Sequence, residues 1–150
     1  MAWVYGSILT AAAVAVATDI KASKPADVLL YTAATMVVVW LAHSYGVFVG
    51  RGGRVDIPDR TARLVSALRT QLPLLACAVP TFVAITLCLL ADADLETTGA
   101  VGLTVSITVM ALVAAGAARR TGAPPGAVAA AWASAIVLGG LIVVAKISLG

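Results

Sequence analysis

Five long apolar runs fill this chain, and the segments between them are too short to fold separately. The runs cover residues 2–18, 28–49, 73–91, 99–118 and 126–147. A helix needs about 20 apolar residues to cross the hydrocarbon core of a bilayer. The runs therefore predict five transmembrane helices in a single domain, residues 1–150, of an all-α integral membrane protein.

The composition argues against an ordinary water-soluble domain. Hydrophobic residues make up 61% of the 150 residues and charged residues only 11%, against about 25% charged residues in soluble proteins. The sequence also lacks the large basic surface with interleaved aromatic residues that nucleic-acid binding requires. We therefore expect a lipid bilayer as the surroundings, with anionic headgroups near the basic loops.

Basic and acidic residues are divided between different loops. Residues 51–69 contain five arginines, and Arg119 and Arg120 follow the fourth run, whereas the loop between the third and fourth runs is purely acidic. Cytoplasmic loops are enriched in Lys and Arg. This rule predicts a cytoplasmic N-terminus and an external C-terminus in a bacterial-type inner or plasma membrane.

The spacing of apolar residues predicts a further short helix in the second loop. Between residues 59 and 72, Leu64, Val65, Leu68 and Leu72 recur at helical spacing on one face. This pattern is typical of an amphipathic helix that lies in the membrane interface, with a solvated linker as the alternative. Guanidinium groups form charge-assisted bonds with phosphates. The predicted lipid-phosphate ligands are Arg51, Arg54, Arg60 and Arg63.

Two prolines shape the third run. Pro73 stands at its start, where a proline suits a first helical turn, and Pro80 follows two turns later, where it should kink the helix. Cys77 and Cys88 lie in the same run, about 16 Å apart along a helix, so they cannot pair with each other within it.

His43, the single histidine, lies within the second run. Polar groups in a membrane usually face protein or water, and helical projection puts His43 on one face with Thr32 and Thr35. An imidazole that changes charge near neutral pH suits a pH-sensitive gate, so these three are candidate pore residues. A hydrogen bond from His43 to a neighbouring helix is the structural alternative. No further ligands accompany His43, so we predict no metal and no cofactor.

Small residues recur along the helices and predict close packing. The number of such positions also favours a homo-oligomer. The predicted packing positions are Gly46, Gly50, Gly102, Ser106, Ala131, Ala135 and Gly139.

Acidic residues gather on the predicted outer side of the membrane. A vestibule of carboxylates would attract cations by concentrating the local field, whereas the alternative is an ordinary hydrated loop. The candidates are Asp19, Asp92, Asp94 and Glu96.

Three functions remain compatible with these features. A homo-oligomeric channel or transport protein for a small ion or solute fits the polar face and the acidic loops best. A non-catalytic accessory or scaffold subunit of a membrane complex, with a membrane protein as its partner, is the second. An intramembrane enzyme for a lipid or other apolar substrate, using His43 and Asp19, is the third and least favoured, because the predicted topology puts these two residues at opposite sides of the bilayer.

Overall fold

The computed structural model of the protein describes residues 2–18, 23–50 and 60–149. They contain seven helices and no strand, which confirms the all-α prediction. The helices are α1 (Ala2–Val16), α2 (Pro25–Gly50), α3 (Arg60–Thr70), α4 (Leu72–Ala76), α5 (Val79–Leu90), α6 (Leu95–Arg120) and α7 (Pro125–Leu149).

Two of these helices, α2 and α6, are each long and apolar enough to cross a membrane. The chain from Leu64 to Leu90 is a third candidate if its two parts count as one broken span. The apolar parts of α1 (Tyr5–Val16) and α7 (Pro125–Leu141) are each shorter than a full membrane crossing. By length and composition, the helices therefore support a membrane location with two or three crossings, where the sequence predicts five.

The third apolar run is broken, at the place where its prolines lie. Pro73 occupies the first turn of α4 and Pro80 the first turn of α5, with Cys77 and Ala78 in the turn between them. The segments Leu64–Ala76 and Val79–Leu90 meet at an angle of 50°. A proline lacks the N–H that a continuous helix needs, so a bend is the expected response.

Helix α6 lies at the centre of the bundle and packs against α1, α5 and α7, while α2 packs against α1 and α3–α5. One buried cluster joins Val14, Val28 and Ile85 with Leu95, and another joins Met36 and Leu74 with Leu9. The connections α1–α2 and α5–α6 therefore lie at one end of the bundle, which we call the acidic end. Helix α3 and the α6–α7 connection lie at the other, the basic end.

The interior of the bundle contains hydroxyl side chains among its apolar ones. Seven hydroxyl side chains are buried almost completely, and we call them the interior hydroxyls: Ser7, Thr10, Thr32, Ser44, Thr81, Thr98 and Ser106. Large apolar side chains are exposed instead, such as Leu30, Val38, Leu87, Leu112 and Val137. A water-soluble protein buries most of its large apolar side chains. Lipid surrounds apolar side chains at no cost, so this distribution fits a bundle that lies in a bilayer.

Candidate functional site

The inner face of α2 carries the most unusual polar groups of the molecule. Every fourth residue points inward along a ridge, with Val28, Thr32, Met36 and Ser44 buried and Trp40 half-buried. The Thr32 Oγ1 and Ser44 Oγ atoms have no hydrogen-bond partner among the described residues. A buried hydroxyl without a partner costs about 1–3 kcal/mol. Such a group needs an explanation, of which an ordered water or a polar solute is the simplest.

This ridge differs from the face that helical projection predicts. Thr32 lies on it, but Thr35, Gly46 and Gly50 are exposed, and a side chain at either glycine would meet nothing within 4 Å. Helices that cross at an angle contact each other along rows of every fourth residue. Residues four apart are separated by more than one full turn, so a row of every fourth residue winds slowly around the helix. Helical projection assumes instead that the buried face runs straight along the helix.

His43 lies half-buried beside this ridge, near the basic end. Its ring centroid is 4.8 Å from that of Tyr5 on α1, and Nδ1 is 3.2 Å from the Val39 carbonyl of its own helix. The imidazole thus contacts α1 through an aromatic face and hydrogen-bonds within α2.

The interior hydroxyls outside α2 have partners. Thr10 Oγ1 donates to the Gly6 carbonyl at 2.8 Å and lies 3.6 Å from Met36 Sδ on α2. Thr81 on α5 and Ser106 on α6 are joined by a bond of 2.9 Å, and Ser106 also donates to the Gly102 carbonyl. These bonds join neighbouring helices in the way that membrane bundles use hydroxyls.

Several predicted small residues lie at close contacts between helices. A Cβ at Gly102 would lie 3.1 Å from Ile85 and 3.3 Å from Val14, and a Cβ at Gly139 would lie 2.8 Å from Ile107. Ala135 is buried against Met110, and Ala131 is half-buried. The sequence reasoning missed Gly6, where a Cβ would lie 2.8 Å from the Leu74 carbonyl.

The acidic end contains three of the four predicted vestibule residues, while Asp19 lies outside the described residues. Asp92, Asp94 and Glu96 are exposed in the α5–α6 connection and the first turn of α6. The Asp94 carboxylate accepts from the Thr97 backbone N–H at 2.7 Å and caps α6. This bond holds the pKa of Asp94 below its usual range.

A crevice of about 500 Å³ lies beside this connection, where α1, α6 and α7 meet. Its walls are Leu95, Ala100, Leu103 and Val143, with Gly99 and Thr18 between them and Glu96 as the acidic member. The small side chains on α6 leave this space open. Sequence reasoning identified Glu96 but had no signal for the apolar walls, because they come from three separate helices.

The basic end carries the predicted lipid-phosphate ligands. Arg51 and Arg54 lie outside the described residues, and Arg60 and Arg63 lie on α3 with side chains that are not described. Helix α3 is attached to α2 by the Trp40 indole N–H, which donates to the Leu68 carbonyl at 3.3 Å. Leu64 and Val65 remain exposed on α3, which leaves an apolar surface for a lipid interface.

Among the described residues, no three His, Cys, Asp or Glu side chains form a group that could hold a metal ion. The fold and the site define a helical bundle with an apolar exterior and a hydroxyl-rich interior. No protein-family model, curated protein or solved structure matches the chain.

Proposed function

We propose that this protein crosses the membrane five times and transports a small ion or solute through its hydroxyl-rich interior. The observation that supports transport best is the pair of buried, unpartnered hydroxyls on α2, Thr32 and Ser44. Twelve residues separate them, or about 18 Å along the helix axis. This distance is more than half of the roughly 30 Å thickness of the hydrocarbon core. Polar contacts at both positions would therefore serve a solute or water over much of a path across the membrane.

In the five-span arrangement, α1, the broken segment α3–α5 and α7 each cross the membrane in addition to the two long helices α2 and α6. Consecutive elements run between the acidic and basic ends of the bundle, and large apolar side chains cover the exterior of α2, α5 and α7. Irregular backbone at membrane depth is tolerated where protein covers it. The break in the third span meets this condition, because Cys77 and Ala78 are 2% and 0% exposed.

The division of charge between the two ends supports the orientation. Arg69, Arg119 and Arg120 lie at the basic end, and Asp92, Asp94 and Glu96 at the acidic end. With the basic end in the cytoplasm, the N-terminus is cytoplasmic and the C-terminus external. His43 then lies in the cytoplasmic half of the route and the acidic connection at its outer end.

Assembly as a homo-oligomer is part of the proposal. A Cβ at Gly46 or Gly50 of α2 would meet none of the described residues within 4 Å, and a GxxxG pattern lets a second helix approach closely. The mass of the nanodisc-embedded particle tests this point. A single discrete oligomer would support it, and a monomer would refute it.

The test of transport compares matched substitutions on α2 in proteoliposomes. The probes are water and glycerol, followed by light scattering after an osmotic step, and protons, followed by an encapsulated pH-sensitive dye. We expect the wild-type protein to raise the permeability for at least one probe above that of empty liposomes. Thr32→Val combined with Ser44→Ala should reduce that permeability, because both interior polar groups are lost.

Two control variants keep this comparison specific. Thr35→Val makes the same chemical change on the same helix at an exposed position, and Ser134→Ala does so on α7. Both should transport as the wild type does. Wild-type liposomes that match empty liposomes for every probe would refute the proposal, and so would an equal loss in the Thr35→Val variant.

A further inference from the structure

The crevice at the acidic end has the form of a ligand site that is separate from the α2 ridge. Its volume of about 500 Å³ falls in the range of small-molecule sites, about 300–1,000 Å³. Such sites combine mostly apolar walls with a few polar groups that select the ligand. Leu95, Leu103 and Val143 supply the apolar walls here, and Glu96 supplies the charge.

The charge around the crevice determines the chemistry of its occupant. The Glu96 side chain forms no hydrogen bond or ion pair with another described residue. Among the described residues that line the crevice, Glu96 is the one that carries a charge; Asp92 and Asp94 lie within four residues of it in sequence, and Lys24, in the α1–α2 connection at the same end, does not line the crevice. A carboxylate beside a low-dielectric wall favours a cation and disfavours an anion.

The apolar walls narrow the choice further. A small inorganic cation would gain nothing from Leu95, Leu103 and Val143, and it would need several oxygen ligands that the crevice does not supply. An organic cation with an apolar body satisfies both parts of the site. We infer that the crevice binds an amphiphilic organic cation, with its charged group beside Glu96 and its apolar body between α6 and α7.

The inference does not depend on transport, because binding can be measured in a chain that moves nothing. The probe is tetraphenylphosphonium, a cation surrounded by apolar rings, added to the full-length protein in nanodiscs of zwitterionic lipid. Empty nanodiscs measure its partition into the lipid. We expect saturable binding above that background, and the neutral analogue tetraphenylsilane should not compete for it.

Two pairs of variants locate the bound cation. Glu96→Gln should weaken binding by up to about fivefold, the upper end of the range for an exposed ion pair. Asp92→Asn removes the same charge four residues away, and asparagine tolerates the left-handed backbone at this position (φ +52°), so its effect should be smaller. Ala100→Leu fills the crevice and should abolish binding, whereas Ala133→Leu, at an exposed position on α7, should not.

Three outcomes would overturn the inference. The first is an absence of saturable binding above the empty nanodiscs. The second is an equal loss in Glu96→Gln and Asp92→Asn, which would assign the attraction to the charge of the whole connection. The third is competition by the neutral analogue as effective as by the cation itself, which would identify a site for apolar chains only.

Discussion

The Tyr5 ring of α1 lies against the His43 imidazole of α2, with ring centroids 4.8 Å apart and planes tilted by 43°. This contact joins the first two helices at the basic end. It also covers one side of the imidazole, whose Nδ1 lies within hydrogen-bond distance of the accepting Val39 carbonyl oxygen. His43 is therefore held in one orientation by two different helices.

Removal of the Tyr5 ring should weaken the contact between α1 and α2. An aromatic pair contributes about 0.5–1.5 kcal/mol beyond its buried area, so Tyr5→Ala should lower the free energy of unfolding by at least that range. An SDS titration in mixed micelles measures the change. Tyr45→Ala is the matched control, because Tyr45 lies on α2 with 66% of its surface exposed. An equal loss in both variants would contradict the prediction.

The hydrogen bond between Thr81 and Ser106 should stabilise the contact between α5 and α6. Thr81→Val keeps the shape of the side chain and removes the hydroxyl, and interhelical hydrogen bonds in membrane proteins contribute about 0.6 kcal/mol on average. We expect a loss of about that size in the same titration. Thr86→Val, on the exposed side of α5, removes a hydroxyl that bonds only within its own helix. It should change stability less than Thr81→Val does.

Two glycine substitutions should have opposite effects. Gly6→Ala places a Cβ 2.8 Å from the Leu74 carbonyl oxygen, and because that atom belongs to the backbone, the two helices must separate. Overpacking of this kind costs about 1–3 kcal/mol. The Cβ of Gly46→Ala meets none of the described residues within 4 Å, and the substitution should stabilise α2 by up to about 1 kcal/mol through helix propensity.

The same Gly46 variant also reports on assembly. If the Gly46–Gly50 side of α2 contacts a second copy, Gly46→Ala will shift the particle mass in nanodiscs toward the monomer. An unchanged oligomer together with a more stable chain would place the contact between copies elsewhere.

Asp94 should make the first turn of α6 sensitive to acid. Its pKa is lowered in the folded protein by the Thr97 N–H, so its stabilisation is present above the ordinary aspartate pKa of about 3.9. It is lost as the pH falls through the lower folded value. Asp94→Ala should lower the midpoint of thermal unfolding by about 2–4 °C at pH 7, and the difference from the wild type should shrink as the pH falls below the ordinary aspartate pKa.

Asp94→Ser is the control for this prediction, since serine also caps helices but does not titrate. It should retain most of the stability at pH 7, and it should lose the contribution that depends on pH. If the serine variant is as unstable as the alanine variant at pH 7, the cap is not what Asp94 provides.

The helical class and the division of charge were predictable, because both follow from long apolar runs and from the placement of arginines in short loops. The inner face of α2 was only partly predictable. Thr32 lies inside, but Thr35, Gly46 and Gly50 do not, because the crossing angle between helices decides which row is covered. A single helix carries no information about that angle.

Contacts that join distant parts of the chain could not be predicted at all. The approach of Gly6 to Leu74 and the contact of Thr18 with Gly99 each join elements far apart in sequence. Glycine and threonine are common in apolar helices, so neither pair stands out. The crevice was missed for the same reason, because its walls become neighbours only when α1, α6 and α7 assemble.

The cover over the break between α4 and α5 has a consequence for biosynthesis. Gly6 meets Leu74 just before the break, and the Cys77 thiol donates to the Trp3 carbonyl at 3.0 Å. In the five-span arrangement proposed above, the broken segment lies in the bilayer, where irregular backbone is tolerated only under a cover of protein, so the segment gains from a partner as soon as it is inserted. The ribosome makes α1 well before that segment, and the order of synthesis therefore provides the partner before it is needed.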